Sequence, residues 1–120
     1  MDKFLILKRS QNVKSMKDLW AGISGIIERN EEPLQRAKTE IFEETGLIKD
    51  CLVLLKTAPQ MQISSQYANH QWTVFPFLFS VKEPTIKLNW ENSEYRWIYA
   101  NEISKYQTVP SLDKVLASLL

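Results

Sequence analysis

Apolar residues recur along this chain with two different periods, which predict two kinds of secondary structure. Consecutive or alternating apolar residues are typical of β-strands, and such runs occupy residues 3–9, 51–55, 71–81 and 94–99. Spacings of three and four residues are typical of an amphipathic helix. They relate Leu34, Ala37, Ile41 and Thr45, and again Leu112, Val115, Leu116 and Leu119. The pattern therefore predicts four main strands, short strands within residues 20–27, and two helices over residues 33–45 and 111–119.

Proline, glycine and polar stretches indicate where these elements end. Pro33 suits the first turn of a helix, where no intrahelical hydrogen bond needs its missing N–H, and Gly46 is a typical stop signal. The polar residues at 58–70 predict a hairpin tip or a mobile loop. The order of strands, helix, strands and helix predicts one α/β domain over residues 1–120, with helices on both faces of a central mixed sheet.

Composition narrows the classes of protein to which this chain can belong. Of the 120 residues, 44% are hydrophobic and 24% are charged, as is typical of a globular domain. The formal net charge of +1 excludes the strongly basic surface of many nucleic-acid-binding proteins. The single cysteine, Cys51, excludes an internal disulfide framework, and its apolar neighbours predict a buried side chain. Because no apolar run is long enough for a membrane span or a signal peptide, we expect a cytoplasmic protein.

Three glutamates lie close together on the first predicted helix. Glu40, Glu43 and Glu44 are spaced i, i+3 and i+4, so their side chains project from neighbouring positions on one face. Carboxylates this close repel one another, and Mg²⁺ or Mn²⁺ offsets the repulsion because these ions prefer oxygen ligands. The alternative is a solvated acidic face on which Arg36 pairs with Glu40 one turn later.

The residues around these glutamates resemble the Nudix box. At the spacing of that motif, which spans 23 residues, the chain carries Gly25, Glu31, Glu40, Ile41, Glu43, Glu44, Gly46 and Leu47. Residues 20–25 and 90–97 are also similar to Nudix sequences. The resemblance covers nearly the whole chain and implies the Nudix α/β/α sandwich. It further implies hydrolysis of a diphosphate linkage in a nucleoside diphosphate derivative, with water as the nucleophile and divalent cations at the phosphates.

The resemblance also implies roles for individual residues. Glu43 and Glu44 match the principal metal ligands of the family, and Glu40 matches a third ligand or a general base. The family uses one backbone carbonyl in the loop before the helix as a further ligand, and Ser24 stands at that position.

Family members recruit another carboxylate from a loop after the long strand, and this chain offers two candidates there. Glu94 opens a predicted strand, so strand pairing is expected to hold it in place. Glu91 precedes that strand, in a loop that can swing toward the glutamate helix. We therefore assign the catalytic role to Glu91, with a simple exposed loop carboxylate as the alternative.

One position departs from the box, because Thr39 stands where the family has an arginine. That arginine normally ties the loop to the helix through a carboxylate, and a threonine cannot form such an ion pair. Arg36 lies one turn before Glu40 and is the candidate to take over part of the role. The departure leaves the metal carboxylates in place and concerns how firmly the loop is held.

Side chains that suit contacts with the rest of a nucleotide are dispersed along the chain. Arg9 suits a phosphate contact, and Trp20 and Trp90 suit stacking on a base, although these residues, like Tyr67 and Trp72, are also typical packing residues. Two functions follow from the sequence. The first is a metal-dependent pyrophosphohydrolase for a nucleotide-type substrate, and the second is a non-catalytic Nudix module that binds a nucleotide or a protein. By analogy with many Nudix proteins, we also expect a homodimer.

Overall fold

The strand β1 (Lys3–Arg9) is central to the computed structural model, which describes residues 2–65 and 70–120. After it come β2 (Trp20–Ala21), the helix α1 (Pro33–Thr45), β3 (Leu52–Thr57), β4 (Met61–Ser65), β5 (His70–Val74), β6 (Phe77–Val81), β7 (Asn92–Tyr99) and the helix α2 (Leu112–Ser118). Short 3₁₀ segments occupy Lys49–Cys51 and Ala100–Lys105. The predicted α/β class is confirmed.

The strands of the described residues form three antiparallel sheets. Their orders are β2–β1–β7, β3–β6 and β4–β5. Within the described ranges, parallel pairing is confined to one isolated bridge between Trp20 and Thr108. This bridge joins the short strand β2 to the segment that leads into α2. The C-terminal part of the chain therefore lies beside the β2 edge of the three-stranded sheet.

Buried residues of the β2–β1–β7 sheet point to both of its faces. Side chains alternate along a strand, so the buried residues Ile6 and Leu7 point to opposite faces. Ile6 belongs to a core cluster with Trp20 and Ile98. That cluster is covered by Ile103, Tyr106 and Leu112. One face of the ladder is therefore closed by the C-terminal elements.

A bulge at the end of the β1–β7 pair orients the first residue of β7. Lys8 pairs with Glu94, but the next residue of β1, Arg9, pairs with Asn92, so β7 has one extra residue at this point. A bulge of this kind changes the direction of nearby side chains. The buried amide of Asn92 donates a hydrogen bond to Glu44 of α1 over 3.0 Å. The start of β7 is thereby joined to the glutamate helix.

The prediction of one long strand over residues 71–81 was wrong. The chain forms two strands there, β5 and β6, which pair with different partners and are separated at Phe75 and Pro76. Pro76 has no N–H to donate to a ladder, so it suits a break between strands. The loop or hairpin tip predicted over residues 58–70 was wrong for Met61–Ser65, which form β4 and pair with β5, and residues 66–69 lie outside the described part of the chain. Cys51 lies just before β3 and is half-buried, so its predicted burial was also wrong.

The first helix has the bounds that its apolar spacing and stop signals predicted. It runs over Pro33–Thr45, and Gly46 follows with φ of 77° and donates its N–H to the carbonyl of Phe42. A left-handed residue at this position favours glycine. The second helix was predicted one residue too long at each end. No helix in the described part of the chain combines the length and the apolar character needed to cross a membrane.

Candidate active site

The loop between β2 and α1 lies directly against the glutamate helix. It is irregular over residues 22–28, and Ser24 and Gly25 are exposed within it. A Cβ atom added to Gly25 would overlap the carboxyl group of Glu40. Only glycine therefore allows this approach without a shift of the loop or of the glutamate. The backbone around Ser24 and Gly25 is consequently brought beside the first of the three helix glutamates.

Arg36 ties this loop to the helix. Its Nη2 and Nε donate to the carboxylate of Glu31 over 2.6 and 3.1 Å, and its Nη1 donates to Glu40 over 3.2 Å. Glu31 in turn accepts the backbone N–H of Glu28 over 2.7 Å. The hydrogen bond from the Arg36 guanidinium lowers the pKa of Glu31, as expected for a carboxylate beside a fixed positive charge. The Arg36–Glu40 pair, which the sequence offered as part of the alternative of a solvated acidic face, is present.

Thr39 takes no part in this tie. It is exposed, and its hydroxyl donates to the carbonyl of Gln35 over 3.0 Å, within its own helix. The charged link between loop and helix thus comes from Arg36, three residues earlier and on the same side of the helix. Thr39 thus replaces the arginine of the Nudix box, and the ion pairs of Arg36 with Glu31 and Glu40 link the loop to the helix.

Glu44 is the most deeply buried of the helix glutamates. It is 6% exposed, its Oε1 accepts the Asn92 amide, and no described residue donates to its Oε2. Burial raises the pKa of Glu44 to about 7, with the hydrogen bond from Asn92 opposing the rise and the charges of Glu91 and Glu40 adding to it. A buried carboxylate oxygen without a donor is unfavourable unless a proton or a cation approaches it.

The other two helix glutamates have different surroundings. Glu40 is half-buried, and its pKa is raised by burial and by the charge of Glu43, against the effect of Arg36. Glu43 is exposed. The mutual repulsion that the sequence predicted on this face is therefore present.

Glu91 belongs to a turn at residues 89–91 that is braced by hydrogen bonds. The side chain of Asn89 accepts the backbone N–H of Glu91 over 3.1 Å and donates to its carboxylate over 3.2 Å. Ser10 contributes two further bonds: its hydroxyl donates to the carbonyl of Trp90 over 2.7 Å, and its N–H donates to the carbonyl of Glu91 over 2.8 Å. The end of β1 and Asn89 hold this turn by four hydrogen bonds, and the swing that we expected on substrate binding would have to break them, so the swing stays a prediction.

Glu94 is held by the sheet, as predicted. It pairs with Lys8 across the β1–β7 ladder, and the two side chains form an ion pair at 3.4 Å. Glu91, in contrast, raises the pKa values of both Glu44 and Glu40 by its charge. Glu91 stands next to Asn92, whose amide reaches Glu44, whereas Glu94 is engaged by Lys8 across the sheet.

The predicted recognition residues lie in three different environments. Arg9 donates twice to the carbonyl of Ser15, over 3.2 and 3.0 Å, and its charge opposes the rise in the pKa of Glu44. Trp20 is 7% exposed and its ring is covered by Tyr106 and Arg96. Trp90 precedes Glu91 and is 64% exposed. Tyr67 lies outside the described residues.

A pocket of about 460 Å³ opens on the face of the ladder that carries the C-terminal elements. Its lining is formed by Lys8, Asp18, Trp20, Arg96, Lys105, Tyr106 and Gln107. Three of these side chains are cationic, and the Arg96 guanidinium lies 5.2 Å from the centre of the Trp20 ring. Trp20 therefore presents little free ring surface to this pocket.

Carboxylates are the type of ligand that a divalent cation prefers. In this structure, however, they are not arranged as a complete set of metal ligands. Across residues 2–65 and 70–120, no three histidine, cysteine, aspartate or glutamate side chains are arranged to hold a metal ion. Arg36 engages Glu40, and Asn92 engages one oxygen of Glu44. The free Oε2 of Glu44 and the repulsion between neighbouring carboxylates are both features that a hard cation offsets.

Sequence reasoning missed the residues that brace the carboxylates. Ser10, Asn89 and Asn92 hold Glu91 and Glu44 in place. Asparagine and serine beside a predicted strand are typical of turns, and this is the one feature of the sequence that points to these residues. It indicates a turn but does not indicate that the amide of Asn92 reaches a helix 48 residues earlier in the chain.

Comparison with known proteins identifies the family and the fold of this chain. A family model described as the NUDIX domain matches residues 1–119. Among solved structures, the fold is similar to that of a C. elegans Ap4A hydrolase (TM-score 0.79, 18% identity, 97% of this chain and 82% of that chain). It is also similar to a MutT protein from Methanosarcina mazei Go1 (TM-score 0.71, 24% identity, 96% and 80%). A third similar structure is the NUDIX domain of Shewanella oneidensis NrtR, solved with ADP ribose (TM-score 0.66, 14% identity, 97% and 74%). A search of curated proteins gave no match.

Proposed function

This chain belongs to the Nudix family, whose members generally cleave pyrophosphate bonds in nucleoside diphosphate derivatives, and we propose that it is itself a divalent-metal-dependent pyrophosphohydrolase. The observation that carries the proposal is the environment of Glu44. This carboxylate is buried beside Glu40 and Glu91, and its Oε2 accepts no hydrogen bond from any described residue. A carboxylate serving only stability would be expected to have both oxygens satisfied.

The helix and the loop before it would hold the metal. Glu44 offers its free Oε2, Glu43 offers an exposed carboxylate one residue earlier, and Glu40 lies one turn before on the same face. Ser24 adds a backbone carbonyl from the adjoining loop. A bound Mg²⁺ or Mn²⁺ would neutralise charge on the diphosphate and acidify a water molecule.

Glu91 is the residue that we assign to the proton of the attacking water. The oxygen of that water forms a bond to phosphorus, the proton passes to the Glu91 carboxylate, and the phosphoanhydride bond to the leaving phosphate breaks. Asn89, together with the hydroxyl and the N–H of Ser10, holds Glu91 in one position. A braced base needs little reorganisation when the substrate arrives, which favours catalysis.

Recognition of the nucleotide is assigned to the surface around the braced turn. Trp90 is exposed next to Glu91 and offers an aromatic face for a base. Arg9 lies close enough to Glu44 for its charge to act there, which suits a contact with the diphosphate. Trp20 stays a weaker candidate for stacking, because Arg96 and Tyr106 already cover its ring.

The proposal is tested with a panel of nucleotides, assayed for release of phosphate or monophosphate with Mg²⁺ and for binding in EDTA. ADP-ribose and Ap4A belong in the panel because the similar structures include a complex with ADP ribose and an Ap4A hydrolase. Cleavage that requires the metal supports a hydrolase. Binding in EDTA without cleavage at any metal concentration would support the non-catalytic nucleotide-binding module instead.

A further inference from the structure

Asn92 is the side chain that determines which oxygen of Glu44 remains available. It stands at the first position of β7, where the bulge in the β1–β7 ladder directs it toward α1. Asn92 is 8% exposed, and its Nδ2 lies 3.0 Å from Oε1 of Glu44. This single hydrogen bond engages one carboxylate oxygen and leaves the other without a donor among the described residues.

The chemistry of an amide suits this task better than that of a charged donor. Lysine or arginine at this position would neutralise Glu44 and compete with a cation for it. A neutral amide donor orients the carboxylate and leaves its negative charge intact. Contacts of this kind, made by a residue that does not itself bind the metal, are known to orient metal-binding carboxylates in proteins.

The position of Asn92 is firmly determined by the surrounding backbone. Its own N–H donates to the carbonyl of Asn89, and the preceding residue, Glu91, is joined to Ser10 of the β1 end. Arg9 pairs with Asn92 directly across the ladder. The amide is therefore presented to Glu44 by two strands and a turn, so that a change in its side chain removes the donor and leaves the backbone supports in place.

We propose that Asn92 is a positioning residue for metal binding, which holds Oε1 of Glu44 so that Oε2 is directed at a divalent cation. The proposal rests on the function proposed above. In this role Asn92 acts through Glu44, the residue that its amide contacts. Its removal should therefore weaken the binding of the metal and slow the reaction, and it should leave the affinity for the nucleotide nearly unchanged.

The test measures Mn²⁺ binding by electron paramagnetic resonance in the wild type and in Asn92→Leu, which keeps the volume of the side chain and removes the donor. We expect Mn²⁺ affinity to fall roughly 10- to 100-fold in the variant. The apparent kcat at sub-saturating Mg²⁺ should fall in parallel, while KM for the nucleotide stays nearly constant. Asn101→Leu, an exposed asparagine in the 3₁₀ segment Ala100–Lys105, is the matched control and should bind Mn²⁺ like the wild type.

The outcomes distinguish this proposal from the one on which it rests. If the wild type itself binds no Mn²⁺, the proposed function fails. If the wild type binds Mn²⁺ and folded Asn92→Leu binds it equally well, the proposed function stands and the role of Asn92 is overturned. Asn92→Ala also removes the donor and replaces the leucine variant if that variant does not fold. A lower melting temperature with unchanged Mn²⁺ affinity would show that Asn92 is structural only.

Discussion

The guanidinium of Arg36 lies 2.6 Å from the carboxylate of Glu31, and this contact joins the loop before α1 to the helix itself. The same guanidinium reaches Glu40 over 3.2 Å. One side chain therefore positions both the loop that carries Ser24 and a glutamate of the candidate metal site. The Nudix resemblance had left open how the loop is held with Thr39 in the box, and the structure supplies this link through Arg36.

Replacement of Arg36 should impair catalysis. We expect Arg36→Met to lower kcat on the order of 10- to 100-fold, because the loop and Glu40 lose their common anchor and small misplacements of reacting groups are costly. Steady-state kinetics with the substrate found in the nucleotide panel checks this. Arg29→Met, which alters an exposed arginine in the same loop, is the matched control and should retain the wild-type rate. Equal rates for Arg36→Met and the control would mean that the tie is dispensable.

An arginine at position 39 should matter only when Arg36 is absent. In the wild type, Arg36 already occupies Glu31, so Thr39→Arg should preserve the hydrolysis rate. In the Arg36→Met background, Thr39→Arg should recover part of the lost kcat, because the new guanidinium starts from a neighbouring position on the same helix. The double-mutant cycle measures this coupling. A tenfold loss in the single variant Thr39→Arg, equivalent to about 1.4 kcal/mol of barrier, would contradict the first expectation.

The stability of the metal-free protein should depend on pH through Glu44. Burial raises its pKa to about 7 in the folded state, above the ordinary value of 4.5, so the folded protein binds this proton more tightly than the unfolded chain. The free energy of unfolding should therefore fall as pH rises from about 4.5 to 7, by an amount on the order of 3 kcal/mol for this group.

Glu44→Gln isolates that contribution. The variant lacks the titrating group, so its urea denaturation in EDTA should show less loss of stability between pH 5 and pH 8 than the wild type. It should also bind Mn²⁺ far more weakly while remaining folded, because the charge is removed at nearly constant shape. An identical pH dependence in the two proteins, or unchanged Mn²⁺ binding, would argue against the assigned role of Glu44.

Glu91 should contribute to the chemical step and not to binding. We expect Glu91→Gln to lower kcat by roughly 10²- to 10⁴-fold, the usual contribution of a general base, with KM nearly constant. Glu94→Gln is the comparison. Because Glu94 is paired with Lys8 in the sheet, this variant should have nearly the wild-type kcat. If instead Glu94→Gln loses activity and Glu91→Gln keeps it, the base is Glu94.

Trp90 should contribute to nucleotide affinity. Removing its exposed ring in Trp90→Ala is expected to raise KM with little change in kcat, because a base stacked there is bound equally in the ground state and in the transition state. A stacked base is worth about 1–3 kcal/mol by alanine substitution, which corresponds to a rise in KM of roughly 5- to 150-fold. Trp90→Phe keeps an aromatic face and should retain most of the affinity. An unchanged KM in both variants would remove Trp90 from the binding surface.

The sequence by itself determined those features that depend on neighbouring residues. Apolar spacing, Pro33 and Gly46 predicted the bounds of α1, because helix formation and termination are governed by contacts within a few residues. The same local geometry places Glu40 and Glu44 on one face. The Arg36–Glu40 pair could be predicted for this reason, since its members are one turn apart.

Only the tertiary structure decided the features that depend on strand register. The bulge beside Arg9 directs Asn92 to Glu44, and Ser10 braces the turn that carries Glu91. These partners are separated by 48 residues in one case and by about 80 in the other, so no local spacing relates them. Their contacts follow from how β1 and β7 align, and a shift of one residue in that alignment would turn each side chain to the other face of the sheet.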